Sequence, residues 1–342
     1  MSPFLSTWAF LRRPPWRTVF GGAAFLGLCL AAYAVWSPGR DVTDGRHDRG
    51  TNGLWLAHGW LGDDAWFRRN GGEAREPEFR SERALAGLAD RLRRNGIADV
   101  FPHLCPCRPD GSLPGVDDAQ AERLLTSLPG VRVMPWIGGV NGESARPGDP
   151  AWRAGFCRSA RRLLEEHPGF AGVHVNVEPC PSGDEGFLRL LEELRRELPA
   201  GRIVSVAAYP PPTVWHRFPE VHWEEACFRQ VAARADQVAV MMYDTSLRRG
   251  KLYRRLMAAW TEEILAWSGD AEVLLGLPAY DDAGAGYHDP AVENLANALL
   301  GVHAGLGSSA ELPANYRGVA LYADWELDES EWAHYCGHFL KP

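Results

Sequence analysis

From residue 52 onward, eight short apolar runs alternate with eight amphipathic stretches, and this alternation constrains the fold more than any other feature of the chain. The runs lie at 52–60, 97–104, 131–138, 171–178, 202–209, 237–244, 272–280 and 317–325. Helical spacing fills 81–95, 117–127, 149–167, 184–198, 223–235, 252–268, 290–304 and 329–339. Strands separated by helices pair in parallel, because only a long crossover can return the chain to a parallel neighbour. Eight such units predict an α/β fold, a single closed (β/α)8 TIM barrel over residues 52–342, rather than an open doubly wound sheet. No glycine-rich dinucleotide fingerprint follows the first run, and no cofactor is implied. Asp149-Pro150 and Asp289-Pro290 read as N-caps followed by a first-turn proline, and set the expected starts of two helices.

The run ending Gly172-Val-His-Val-Asn-Val-Glu178 carries the chemistry. A strand repeats every two residues, so Val173, Val175 and Val177 face one side and His174, Asn176 and Glu178 the other. A polar row inside an apolar strand costs about 1–3 kcal/mol per unsatisfied group, so it must be hydrogen-bonded or put to use.

Residues 18–36 are uncharged and mostly apolar and follow Arg12, Arg13 and Arg17. They predict a membrane anchor with residues 1–17 as a basic cytoplasmic tail and 37–51 as a polar linker. Ala32-Tyr33-Ala34 also fits a small-x-small cleavage site, which would make the segment a removed signal peptide and the barrel a secreted protein. Either version places the barrel in the periplasm or outside the cell. Six of the seven cysteines then lie in an oxidising place, and Cys105, Cys107, Cys157, Cys180, Cys227 and Cys336 are expected to form disulfides. Cys105-Pro-Cys107 lacks a second clustered pair, and no metal is assigned to it. Four of the 36 basic residues and none of the 44 acids fall in the first 40 positions, so the remainder is more acidic than the net charge of −8 suggests. Such a body repels nucleic acid.

Functional residues of a barrel sit where its strands end. The ends here offer His58 and Trp60, His103, Trp136, Asn176 and Glu178, Tyr209, Tyr243 and Asp244, Tyr280, Asp281 and Asp282, then Tyr322, Asp324, Trp325 and Glu326. Aromatic planes interleaved with carboxylates and an amide suit a carbohydrate, whose ring faces stack while its hydroxyls take donors and acceptors. His58, His103 and His174 on three of the strands offer a different reading, convergence on a metal.

Gly172 to Glu178 resembles the fourth-strand DGxDxDxE signature of glycoside hydrolase family 18, the chitinase-like barrels, which ends in the catalytic glutamate. Met241-Met242-Tyr243-Asp244 is similar to that family's M-x-Y-D on the sixth strand, and Gly276-Leu277-Pro278-Ala279-Tyr280 to its seventh-strand G-x-P-x-Y. The resemblance implies Glu178 as general acid, with Tyr243 and Asp244 holding an acetamido group in substrate-assisted catalysis. A glutamate in that role needs a raised pKa. The remaining rim residues, His58, Trp60, His103, Trp136, His174, Tyr209, Tyr280, Asp281, Tyr322, Asp324, Trp325 and Glu326, are then expected to bind the glycan: peptidoglycan, a chitin-like polymer or an exopolysaccharide.

The chain departs from the family's pattern in carrying Ala171, His174 and Asn176 where the family has aspartates, and Tyr322 for its eighth-strand tryptophan. The Asn-x-Glu pair also resembles the endo-β-N-acetylglucosaminidase barrels, in which an asparagine orients the acetamido nitrogen. A chitinase-like lectin that binds sugar without cleaving it is the alternative.

Overall fold

The structure, a computed structural model, describes residues 16–214, 218–282, 284, 286–308 and 310–341, with the side chains of 16–20 left aside. The chain divides into two compact units, Met1–Ser37 and Pro38–Pro342. The first contains helix α1 (Trp16–Val35), whose described residues from 21 to 35 are all exposed. Among the described residues no helix is long and apolar enough to cross a membrane. Arg12 and Arg13 of the expected basic tail lie outside the described residues.

The second unit is a parallel sheet curled into a barrel-like α/β fold. Its strands are β1 (Asn52–Leu56), β2 (Ile97–Pro102), β3 (Arg132–Val133), β4 (Trp136–Val140), β5 (Gly172–Glu178), β6 (Ile203–Ala208), β7 (Gln237–Met241), β8 (Glu272–Pro278) and β9 (Tyr316–Tyr322), in the order β3-β2-β1-β9-β8-β7-β6-β5-β4. Nine strands appear where eight runs were expected because the third run is cut between Met134 and Pro135. Proline has no N–H to give to the ladder. The two pieces lie at opposite ends of the strand order yet are consecutive in the chain, and backbone bonds from Met134 N to Val100 O and from Leu104 N to Trp136 O tie both to the second strand's segment.

Helices α3 (Glu82–Arg94), α4 (Asp118–Ser127), α5 (Pro150–Glu166), α6 (Glu185–Glu197), α7 (Glu225–Ala232), α8 (Gly250–Trp267), α9 (Leu295–Leu306) and α10 (Glu329–His338) follow the strands. Asp149 caps α5 as expected, its carboxylate accepting from Ala151 N. The cap expected at Asp289 is displaced: α9 starts at Leu295 with Asn294 as its cap. Between β1 and α3 the chain adds α2 (Asp64–Arg69) and a 3-10 turn (Glu73–Phe79), neither foreseen from the sequence. Val42, His47 and Asp48, inside the expected 37–51 linker, are buried in the second unit, and Arg40 N bonds to Leu300 O.

Two cores hold the sheet. Val173, Val175 and Val177 of β5 belong to the outer one, between strands and helices, and each buried valine contributes roughly 1.5–3 kcal/mol. The inner one, inside the sheet, packs Trp55, Phe101, Met134, Trp136 and Leu274. At the end where the strands begin, Asp99 is fully buried and takes bidentate hydrogen bonds from both Arg132 and Arg317, at 2.6–3.0 Å. The polar chain runs inward from there. Gln237 Nε2 donates to Asp99 (2.7 Å), Ser205 Oγ to Gln237 Oε1 (2.7 Å), and His174 Nδ1 to Ser205 Oγ (2.9 Å). On the other side of the ring, His174 Nε2 accepts from Trp55 Nε1 at 3.1 Å.

The expected disulfides are not present: all seven cysteines are free thiols. Three of them are engaged elsewhere, Cys105 Sγ donating to Trp136 O, Cys107 Sγ to Ser144 O and Cys336 Sγ to Asn95 Oδ1. Burial pushes the Cys107 and Cys157 thiols up to about 12.

Candidate active site

Glu178 ends β5 at the rim opposite the Asp99 cluster, where the alternation of the strand places it in line with Asn176 and His174. Close packing of β4 against β5 depends on glycine: a Cβ on Gly138, at φ +134°, would lie 1.8 Å from the Asn176 carbonyl oxygen. Asn176 is buried, and its Nδ2 donates to Glu178 Oε1 in a short hydrogen bond while its Oδ1 has no partner. Desolvation raises the Glu178 pKa; the bond from Asn176 opposes this, and the nearby Asp244 adds to the rise.

Asp244 follows β7 in the left-handed region, at φ +61°. Its Oδ1 accepts a short hydrogen bond from the Tyr280 hydroxyl, which β8 delivers. Tyr243 stacks on Tyr322 with centroids 5.3 Å apart, and Tyr280 meets both rings edge-on at 5.8 and 5.5 Å. Trp325 turns its edge to Tyr322 at 5.5 Å. Tyr209 is buried edge-on against Trp223, and desolvation, with Glu178 and other acidic groups nearby, raises its pKa.

A cleft of about 480 Å³ opens beside Glu178, and its lining includes Asn176, His58, His103, Trp136 and Trp325. Its outer wall comes from residues the sequence reading missed, Trp66, Phe67 and Phe79 of the insertion after β1. The paired Trp66-Phe67 in a stretch bounded by Asp63-Asp64 and Arg68-Arg69 was the available signal. His58 is sandwiched between Trp66 (3.9 Å, stacked) and His103 (3.8 Å), with its Nδ1 on Asp63. Burial and then His58 hold His103 well below the usual imidazole range.

The three histidines do not converge on a metal. His174 lies under the cleft with both nitrogens used, and burial lowers its pKa to about 3. Trp60 is likewise a core residue, edge-on to Phe79, its indole N–H 3.4 Å from Asp324. Asp324 also accepts from Ala57 N at 2.8 Å, and burial pushes it up to about 7. Asp281 and Glu326 are exposed. The described cluster with ligand-like spacing is a different one, Asp244, His288 and Glu293.

The sequence profile of Glycosyl hydrolases family 18 matches residues 116–332, well over half of the chain. The chain belongs to that family. It is therefore a glycosidase, and the matched span carries Asn176, Glu178, Tyr243, Asp244, Tyr280 and Tyr322. Among solved structures, a chitinase from Chromobacterium violaceum is similar at 16% identity and a TM-score of 0.53, over 83% of this chain and 98% of that one. The spore cortex-lytic enzyme SleL of Bacillus cereus is similar at 12% identity and 0.51, over 84% and 75%. SleL of Bacillus megaterium gives 13% and 0.51, over 85% and 76%. At these identities the likeness is one of fold. No curated protein sequence matches this family 18 chain.

Proposed function

We propose that this chain hydrolyses β-linked N-acetylated sugars of an envelope or extracellular glycan, with retention of configuration and the substrate's own acetamido group as nucleophile. The observation that carries the reading is the Asn176–Glu178 pair: one amide whose Nδ2 holds the acid and whose buried Oδ1 is left without a partner. That oxygen suits the acetamido N–H. Glu178, whose pKa is raised by desolvation, gives its proton to the glycosidic oxygen as the C1–O bond breaks and the acetamido oxygen closes on C1. Glu178, now a carboxylate, takes a proton from the water that opens the oxazoline. Asn176 orients the nucleophile but brings no negative charge to the oxazolinium ion. Tyr243, Asp244 and Tyr280 hold the acetamido end of the substrate, and the strand pieces β3 and β4 count as one strand of a closed eight-stranded barrel. The likeness to a chitinase and to a spore cortex-lytic enzyme supports glycans of the chitin or peptidoglycan class.

Glu178→Gln removes the acid but keeps its shape. Turnover on chitin oligomers or peptidoglycan should fall by about 10² to 10⁴ with sugar binding retained. Efficient cleavage of the deacetylated counterparts would sink the substrate-assisted route. Binding to acetamido glycans without any cleavage by the unaltered chain would leave a lectin instead.

The same reading takes residues 18–36, behind Arg12, Arg13 and Arg17, as the segment that carries the barrel out of the cytoplasm. A reporter fused after residue 50 should work outside the cytoplasm and not within it.

A further inference from the structure

His288 is completely buried in side chain, outside the strands, and belongs to none of the sequence motifs. Its ring stacks on Tyr280 at 4.1 Å. Nε2 lies 3.2 Å from the Tyr280 carbonyl oxygen, which can only accept, so Nε2 carries a hydrogen. Nδ1 has no hydrogen-bond partner and faces two carboxylates, Asp244 Oδ1 at 3.3 Å and Glu293 Oε2 at 3.9 Å. Glu293 is fully buried and accepts from Thr245 N at 2.9 Å. A neutral ring would point a bare lone pair at both acids in a water-poor site, an arrangement with nothing to stabilise it.

We propose that His288 is a positioning residue for Asp244, held as an imidazolium between Asp244 and Glu293. Resting on the reading of Asp244 as a substrate-holding carboxylate, this gives His288 a defined job. The Tyr280 hydroxyl and His288 both address Oδ1 of Asp244, which fixes the carboxylate plane and leaves Oδ2 to the sugar. Among the described residues, other titratable groups beside these acids are Tyr280, Tyr287 and Tyr253 of α8, whose hydroxyl is committed to Met242 O at 3.0 Å. Arg248 is paired with Asp289 at 3.3 Å. Burial opposes the charge on His288, but Asp244 and Glu293 outweigh it and raise its pKa. Burial likewise raises Glu293, to about 7, against the pull of Thr245 and His288.

The full chain, labelled with 15N in its histidines, tests this by long-range proton–nitrogen correlation between pH 5 and 9. Both ring nitrogens of His288 should be protonated at pH 7, and Glu293→Gln should lower the midpoint of that titration by at least about one pH unit. A ring found neutral at pH 7, or carrying a metal on Nδ1 in the protein as purified, would overturn the proposal. In a Glu178→Gln background, His288→Gln should weaken the Kd for a chitin tetramer about tenfold, and unchanged affinity would overturn the positioning role. The protonation measurement needs neither a substrate nor a change at His288. It therefore stands even if no acetamido glycan proves to be bound.

Discussion

Asn176 has to serve two partners at once, and its amide can do so because donor and acceptor sit on separate atoms. Nδ2 is given to Glu178, and Oδ1 remains open in a buried position where an unsatisfied acceptor costs about 1–3 kcal/mol. Replacing Asn176 by Asp removes the donor and sets a second carboxylate beside Glu178, and both changes raise the pKa of the acid further. A glutamic acid with a higher pKa stays protonated to higher pH. The alkaline limb of the kcat profile of Asn176→Asp should therefore move up by about one unit or more while activity is retained. A limb that stays in place would show that position 176 does not govern the acid.

At the scale of elements, the insertion formed by α2 and the 3-10 turn matters most. It raises Trp66, Phe67 and Phe79 over the cleft and stacks Trp66 on His58, which Asp63 holds from below. An indole face of this kind binds a sugar ring and takes no part in bond breaking. Trp66→Ala should accordingly raise KM about tenfold with kcat little altered, since the lost contact is the same in ground and transition states. Steady-state kinetics on a soluble chitin oligomer would separate this from a drop in kcat, which would point to a catalytic or folding role instead. The insertion escaped the periodicity argument because six helical residues and a 3-10 turn are too short to show a period.

For the molecule as a whole, the two ends of the sheet divide stability from chemistry. The beginning of the strands is closed by Asp99 between Arg132 and Arg317, a buried carboxylate whose desolvation is outweighed by its two guanidinium partners, so its pKa is lowered. A lowered carboxylate stabilises the fold above its unfolded value of roughly 3.9, and that stabilisation is lost as pH falls through the folded value. Asp99→Asn leaves two arginines without their acid and should destabilise the protein by about 3–5 kcal/mol in denaturant unfolding near neutral pH. The gap between variant and parent should narrow on acidification. A variant as stable as the parent would show that Glu272 suffices to hold the arginines.

The sequence by itself determined the α/β alternation, the faces of β5 and the acid at its tip, because periods of two and of 3.6 residues are local properties written in neighbouring side chains. It also determined family membership, through short motifs on β5, β7 and β8. What it left open depended on approach across the barrel. Pro135 splits a strand that reads as one run in the sequence, and the expected disulfides are absent, with Cys105, Cys107 and Cys336 placed on backbone and amide acceptors instead. His174, one of three histidines on the strands of the expected barrel, is taken out of the cleft by Ser205 on the neighbouring β6 and Trp55 on β1 across the barrel. His288 and Glu293 carry no local signature, and only the packing of the loop after β8 against Asp244 gives them a place beside the site. Local order follows from the sequence directly, whereas the pairing of buried polar groups is decided by which strands and loops the closed sheet brings together.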